Sequence, residues 1–145
     1  MDLETAGDLA RDLMDDHGLG SWGFGFDNAK RRCGNCHFGK WRITLSRYYV
    51  SMNNEAEVRD TILHEIAHAM AGADAGHGLV WQKVARSIGA KPQRCADASV
   101  SMPKPPWKIV CASGHTLGTR HRRRRDMKFH VCGRCRTPLY YVHNI

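Results

Sequence analysis

Residues 61–70 read T-I-L-H-E-I-A-H-A-M. No other stretch restricts the fold as much. His64 and His68 are four residues apart, so on a helix they stand one turn apart on the same side. Ile62, Ile66 and Ala69 form an apolar face on such a helix, and the two imidazoles lie away from it. Asn53 or Asn54 can cap its start, with Glu57 placed as a capping-box partner. The helix is expected to run to about Ala71 and to stop at Gly72. An amphipathic helix that happens to carry two histidines is the ordinary reading, and the rest of the chain must decide against it.

Two imidazoles at this spacing can bind one zinc ion. Glu65 follows His64 directly, so it is rotated by about 100° around the helix axis. That places a carboxylate beside the metal's open position, where it can take a proton from an activated water. A third ligand lies within reach. His77 sits in G-H-G at 76–78, on a loop after the helix, and neither neighbour has a side chain to block its approach. Three histidines leave a fourth position free, as catalytic zinc sites do. The other reading of His77 is a loop histidine at a helix start. Tyr48 and Tyr49 are candidate oxyanion donors.

Around this core the pattern is mixed. Leu3, Ala6, Leu9, Ala10, Leu13 and Met14 share a helical face, with acids opposite and Gly18 as a stop. Trp22, Phe24 and Phe26 alternate, as do Trp41, Ile43 and Leu45, which predicts two paired strands. K-R-R-C-G-N-C-H-F-G-K between them reads as a basic turn. L-V-W-Q-K-V-A-R-S-I predicts another helix, closed by Gly89. Residues 101–107, S-M-P-K-P-P-W, read as a linker.

The chain has six cysteines in 145 residues. The N-terminus is acidic and amphipathic, with no signal-peptide pattern. A cytosolic location is therefore expected, and clustered cysteines then point to metal rather than disulfides. Cys111 and His115 come from V-C-A-S-G-H, and Cys132 and Cys135 from H-V-C-G-R-C. Four such ligands make a closed tetrahedral site, a zinc ribbon. A segment of this size buries little surface, so a metal staple has a clear purpose. His121 is a rival fourth ligand. Cys33 and Cys36 form another C-x-x-C; with His37 and Cys95 they offer a further metal site, but free thiols beside a groove are the default expectation.

The net charge is +8, and it is unevenly placed. Residues 104–136 hold ten Lys/Arg and one acid, Asp126, whereas the remainder is slightly acidic. Arg120, Arg122, Arg123, Arg124, Arg125 and Lys128 are expected on a hairpin projecting from the ribbon. There they can contact phosphates without reading sequence; a flexible, solvated loop is the other reading. Lys30, Arg31 and Arg32 can extend the basic surface. Trp107, Phe129 and Tyr140 can stack bases, although packing inside the ribbon is the more ordinary role.

H-E-I-A-H-A-M-A-G, then G-H-G-x-x-W, then a helix ending I-G-A, resemble the SprT-like (Spartan-related) zinc metalloprotease family. K-R-R-C-G-N-C and W-R-I-T-L-S-R-Y-Y resemble the segment upstream of the metal helix in its bacterial members. The resemblance covers residues 5–100, and the C-terminal segment fits as well. It implies a compact α+β, zincin-like fold and a zinc-dependent protease, with His64, His68 and His77 as ligands and Glu65 as general base. Family members are associated with cleaving proteins trapped or crosslinked on DNA. They often carry a C-terminal zinc ribbon, whose first pair is usually two cysteines, where this chain has C-x-x-x-H.

The expectations are therefore a metalloprotease domain at 1–103, a basic zinc ribbon at 104–145, and two zinc ions, one catalytic and one structural. The partners expected are DNA, bound without sequence preference, and protein substrates on it. A monomer is expected, cytoplasmic or nucleoid-associated, encoded by a bacterium or phage, with no membrane contact. The alternative is a non-catalytic nucleic-acid-binding zinc protein, such as a replication or transcription adaptor.

Overall fold

The computed structural model describes residues 1–93 and 100–145. Cys95, considered above as a ligand, lies outside them. The chain divides into two compact units, Met1–Pro103 and Lys104–Ile145.

The first unit opens with helix α1, Leu3–Asp16. Asp2 caps it, its carboxylate accepting from the Thr5 amide at 2.8 Å and the Thr5 hydroxyl at 2.7 Å. Ala6, Ala10, Leu13 and Met14 are buried, and the acids remain on the solvent side. A three-stranded sheet follows: β1 (Gly23–Asp27), β2 (Gly34–His37) and β3 (Arg42–Ser46), in the order β1-β3-β2. The two strands expected from alternation do pair, and they run parallel. The supposed basic turn between them is in part β2, a strand antiparallel to β3. Its four residues are too few, and too mixed, to show a period of two.

Phe24, Phe26, Ile43 and Leu45 pack with the core. The glycines on the other face of β1 have a use. The Arg42 guanidinium lies across Gly25 so closely that a Cβ there would overlap it.

Helix α2, Arg47–Met52, follows in R-Y-Y-V-S-M, a stretch whose sequence shows no clear period. Ser46 stops the strand by capping, its hydroxyl accepting from the Tyr49 amide at 3.3 Å. Helix α3, Glu55–Ala71, is capped by Asn54, whose side chain accepts from the Glu57 amide at 3.0 Å. A cap of this kind contributes about 1 kcal/mol. Asn53 has a different task. It is buried, and its amide makes paired bonds of 2.9 and 2.7 Å to the backbone of Ser101. From Thr61 to Ala67 only His64 escapes burial, so α3 runs through the core rather than along its surface. Helix α4, Leu79–Ser87, buries Trp81 and Ala85.

The second unit is an antiparallel sheet of β4 (Trp107–Cys111), β5 (Thr116–Arg120) and β6 (Leu139–His143), in the order β5-β4-β6. Its buried residues are Ile109, Cys111 and Cys132, so it has almost no apolar core. Among the described residues, no helix is long and apolar enough to cross a membrane.

Candidate metal centre

The helical period of α3 brings His64 and His68 to the wall of one cleft, and the loop after α3 folds His77 onto them. The Nε2 of His77 lies 3.0 Å from that of His68 and 3.2 Å from that of His64. The three ligand atoms thus converge on one point, as a single ion requires. Burial holds the pKa of His64 and of His68 down at about 4, and neighbouring histidines add to it. Both imidazoles are therefore neutral near pH 7, the form that ligates a metal. The donor set fits zinc.

Glu65 lines the same cleft, a cavity of about 710 Å³. It is only 7% exposed. Burial pushes its pKa up to about 8, against the pull of Arg32. A carboxyl poised near neutrality suits a proton acceptor. The strand missed in the sequence sets its position. A Cβ on Gly34 would stand 3.2 Å from Glu65 Oε1, 3.1 Å from its Cγ and 3.0 Å from Leu45 Cδ2. Leu45 is fully buried and cannot move away, so the base must give way. Gly34→Ala is expected to fold, retain metal and lose about tenfold in any hydrolytic rate, because sub-ångström displacement of a catalytic group is costly. Unchanged kcat in that variant would show that Glu65 tolerates the shift.

The same groups set an acid limit on stability. His64 and His68 take up protons near the ordinary 6.5 when unfolded, but only near 4 when folded. Their contribution is complete above 6.5 and disappears as pH falls toward 4. Glu65 acts in the opposite direction. Its contribution is complete below 4.5 and disappears as pH rises to about 8. Two histidines outweigh one carboxyl below pH 6.5. Chelator-treated protein should therefore melt at its highest temperature near pH 6.5, with a fall on the acid side that His68→Gln makes shallower. Melting followed by tryptophan fluorescence from pH 4 to 8 checks this.

Cys33 and Cys36 also line the cleft, both free. Burial and the charge of Glu65 push their thiols up to about 11 and about 12, so both stay protonated. His37 is bonded instead to Thr44 at 3.2 Å and Asn35 at 3.3 Å. Neither tyrosine offered as an oxyanion donor serves. Tyr49 is fully buried, its hydroxyl donating to the Glu57 carbonyl at 2.8 Å, with the Thr61 hydroxyl 2.7 Å away. The ring of Tyr48 lies under the Lys30 ammonium, and the residue is not part of the cleft wall.

In the second unit Cys111, His115, Cys132 and Cys135 form a four-ligand cluster. His115 Nδ1 lies 3.4 Å from the sulfur of Cys111 and 3.6 Å from that of Cys132. The Cys135 and Cys111 sulfurs are 3.6 Å apart. The Thr137 hydroxyl, 3.0 Å from Cys135, is the chief cause that pulls this thiol down to about 5. The cluster can form a zinc module. His115 belongs to it and His121 does not; His121 instead adjoins Trp107, Tyr141 and the arginines 122–125.

Of these arginines, Arg123 and Arg124 have side-chain partners. Arg120 ends β5 and bonds the Thr119 carbonyl. Arg123 stacks over Trp107 at 4.6 Å. Arg124 grips Asp126 through two bonds, of 3.0 and 2.6 Å. The Lys128 ammonium lies over Phe129. Arg122 and Arg125 are exposed. Packing is not the role of Phe129 or Tyr140, which are 76% and 48% exposed; Trp107 is half-buried.

An α+β fold that closes a His-Glu-x-x-His helix onto a third histidine defines the metallopeptidase class of architecture. The structure is similar to the crystal structure of the metallopeptidase zymogen jannalysin of Methanocaldococcus jannaschii. The TM-score is 0.52 at 20% identity, over 59% of this chain and 83% of that one. The profile of the SprT-like family matches residues 9–101, and the chain belongs to that family. Protein SprT of Pseudomonas putida strain W619 is 29% identical over 122 residues, which are 77% of this chain and 74% of the relative. Protein SprT of Pseudomonas syringae pv. syringae strain B728a is 27% identical over the same shares.

Proposed function

We propose that this protein is a zinc-dependent endopeptidase that acts on proteins bound or crosslinked to DNA. The observation that carries the reading is the convergence of three imidazoles beside a buried carboxyl in one cleft. His64, His68 and His77 would hold the ion, which when bound supplies Lewis acidity toward a peptide carbonyl and toward water.

The other steps belong to the chain. Glu65, as the carboxylate, takes the proton of the water whose oxygen bonds to the acyl carbon, and passes it to the amine released as the C–N bond breaks, a cycle suited to a group that titrates near 8. Strand β2 lies at the edge of its sheet, and Gly34, Asn35 and Cys36 line the cleft. An extended peptide can pair with such an edge, and its backbone then lies along the site without a demand on sequence.

The second unit supplies the location. Its exposed arginines favour phosphate, and its exposed aromatics favour unpaired bases. Such a module concentrates the protease on nucleic acid and leaves the cut to whatever protein is held there. A second ion, held by Cys111, His115, Cys132 and Cys135, would be structural.

The test is cleavage of a basic DNA-binding protein by the zinc-loaded full chain, with and without single-stranded DNA. Cleavage stimulated by DNA is expected. Its absence, with the substrate demonstrably bound to the same DNA, would favour a non-catalytic adaptor.

A further inference from the structure

Trp81 has no part in the chemistry just described, yet it is the largest fully buried side chain in the protein. Burial alone would make it ordinary core. What it touches is unusual. All three candidate ligands rest on its indole. His68 is stacked on it at 5.2 Å and 25°. His64 lies 4.7 Å away at 60°, and His77 meets it edge-on at 4.7 Å and 84°. The indole N–H also points to the His64 carbonyl, at 3.4 Å.

We propose that Trp81 is a positioning residue for the metal centre: its indole is the rigid floor that aims three imidazoles at one point. The inference rests on the metal-binding reading above. Its physical basis is that the terminal torsion of histidine is broad, so rotamer preference does not fix the ring plane. Metal sites usually fix it through a hydrogen bond to the non-ligating nitrogen. Among the described residues no such bond reaches Nδ1 of His64 or His68, whose ring contacts are at Nε2. Ring packing is what remains. Trp81 lies in the first turns of α4, four residues after His77, so one side chain ties the loop ligand to the two helix ligands.

The floor also matters for the order of assembly. His77 is carried by the loop with Gly76 and Gly78 around it, and Gly76 has a φ of 53°. Backbone of that kind does not hold a ligand in place by itself. Contact with the indole removes rotational freedom before an ion arrives, and preorganisation of this type raises affinity without any new bond to the ligand.

The experiment is a zinc titration of the full chain against a competing chelator, with His68→Ala defining which bound ion depends on the histidines. Trp81→Phe and Trp81→Leu are compared with wild type and with Val58→Ala, a cavity in α3 at a fully buried position outside the site. The visible spectrum of Co2+ in the histidine-dependent site, taken as a difference from His68→Ala, gives a second readout.

Trp81→Leu should weaken the histidine-dependent ion by about tenfold or more, the loss typical of removing an outer-shell support, and should shift the Co2+ bands. Trp81→Phe should do both to a smaller degree. Val58→Ala should lower the melting temperature and leave affinity and spectrum unchanged. If Trp81→Leu does not fold, Trp81→Phe carries the test. Wild-type affinity and spectrum in the folded Trp81 variants would overturn the inference, as would an equal loss in Val58→Ala. A His68→Ala protein that binds as many ions as wild type would instead overturn the metal-binding reading beneath it.

Discussion

Glu65→Gln should abolish cleavage and keep the metal. The amide has nearly the shape of the carboxyl, but it cannot accept a proton near pH 7. Loss of a positioned base typically costs about 10²–10⁴ in rate. The fall should appear in kcat, with KM little changed, because the peptide still meets the same cleft. Zinc content should equal that of wild type, since His64, His68 and His77 are untouched. Stability gives an internal control. The native carboxyl is desolvated and resists ionisation up to about pH 8, so a neutral amide relieves the cost of charging it above that pH. The variant should therefore melt no lower than wild type at pH 9, and a lost activity could not be put down to unfolding. Activity within tenfold of wild type would remove Glu65 from the mechanism. His68→Ala is the complement: it should lose both ion and cleavage.

The parts of this fold that were legible in the sequence are the ones with a long period. Helices α1, α3 and α4 announce themselves over nine or more residues each, and the cap of α3 is narrowed to Asn53 or Asn54. The short elements did not. Strand β2 has four residues behind a run of basic ones, and α2 has just six, too few to show a period. Both arise from tertiary context, β2 by pairing with β3 and α2 by the cap of Ser46. The site divides in the same way. Spacing along one helix placed His64, Glu65 and His68, and flanking glycines drew attention to His77. Gly34 against Glu65 and Trp81 under the histidines are contacts across the fold, invisible to any local pattern. The choice between His115 and His121 was also open locally; it turns on which imidazole faces three sulfurs.

Cys132→Ser in the full chain should unfold the second unit and leave the first intact. Lys104–Ile145 buries just Ile109, Cys111 and Cys132, of which two are ligands. Hydrophobic burial cannot hold such a module, and the four-ligand cluster takes the place of a core. Binding of a structural zinc ion is worth about 10–16 kcal/mol in small modules of this kind. Cys132 is also tied into its turn, its amide donating to the Thr137 carbonyl at 2.9 Å and its carbonyl accepting from the Arg136 amide at 2.8 Å. A serine there loses the thiolate and leaves three ligands. Limited proteolysis should then cut within 104–145 at rates well above wild type, while 1–93 stays resistant. Once the module is open, Arg123 loses its place over Trp107 and the basic groups no longer share one surface. Affinity for DNA should fall steeply at physiological salt, where binding depends on several phosphate contacts together. Cleavage of a short peptide with no DNA present should remain at wild-type rates, because every candidate catalytic residue lies in the first unit. A Cys132→Ser protein that resists protease and holds DNA as wild type does would mean that the cluster is not what folds this unit.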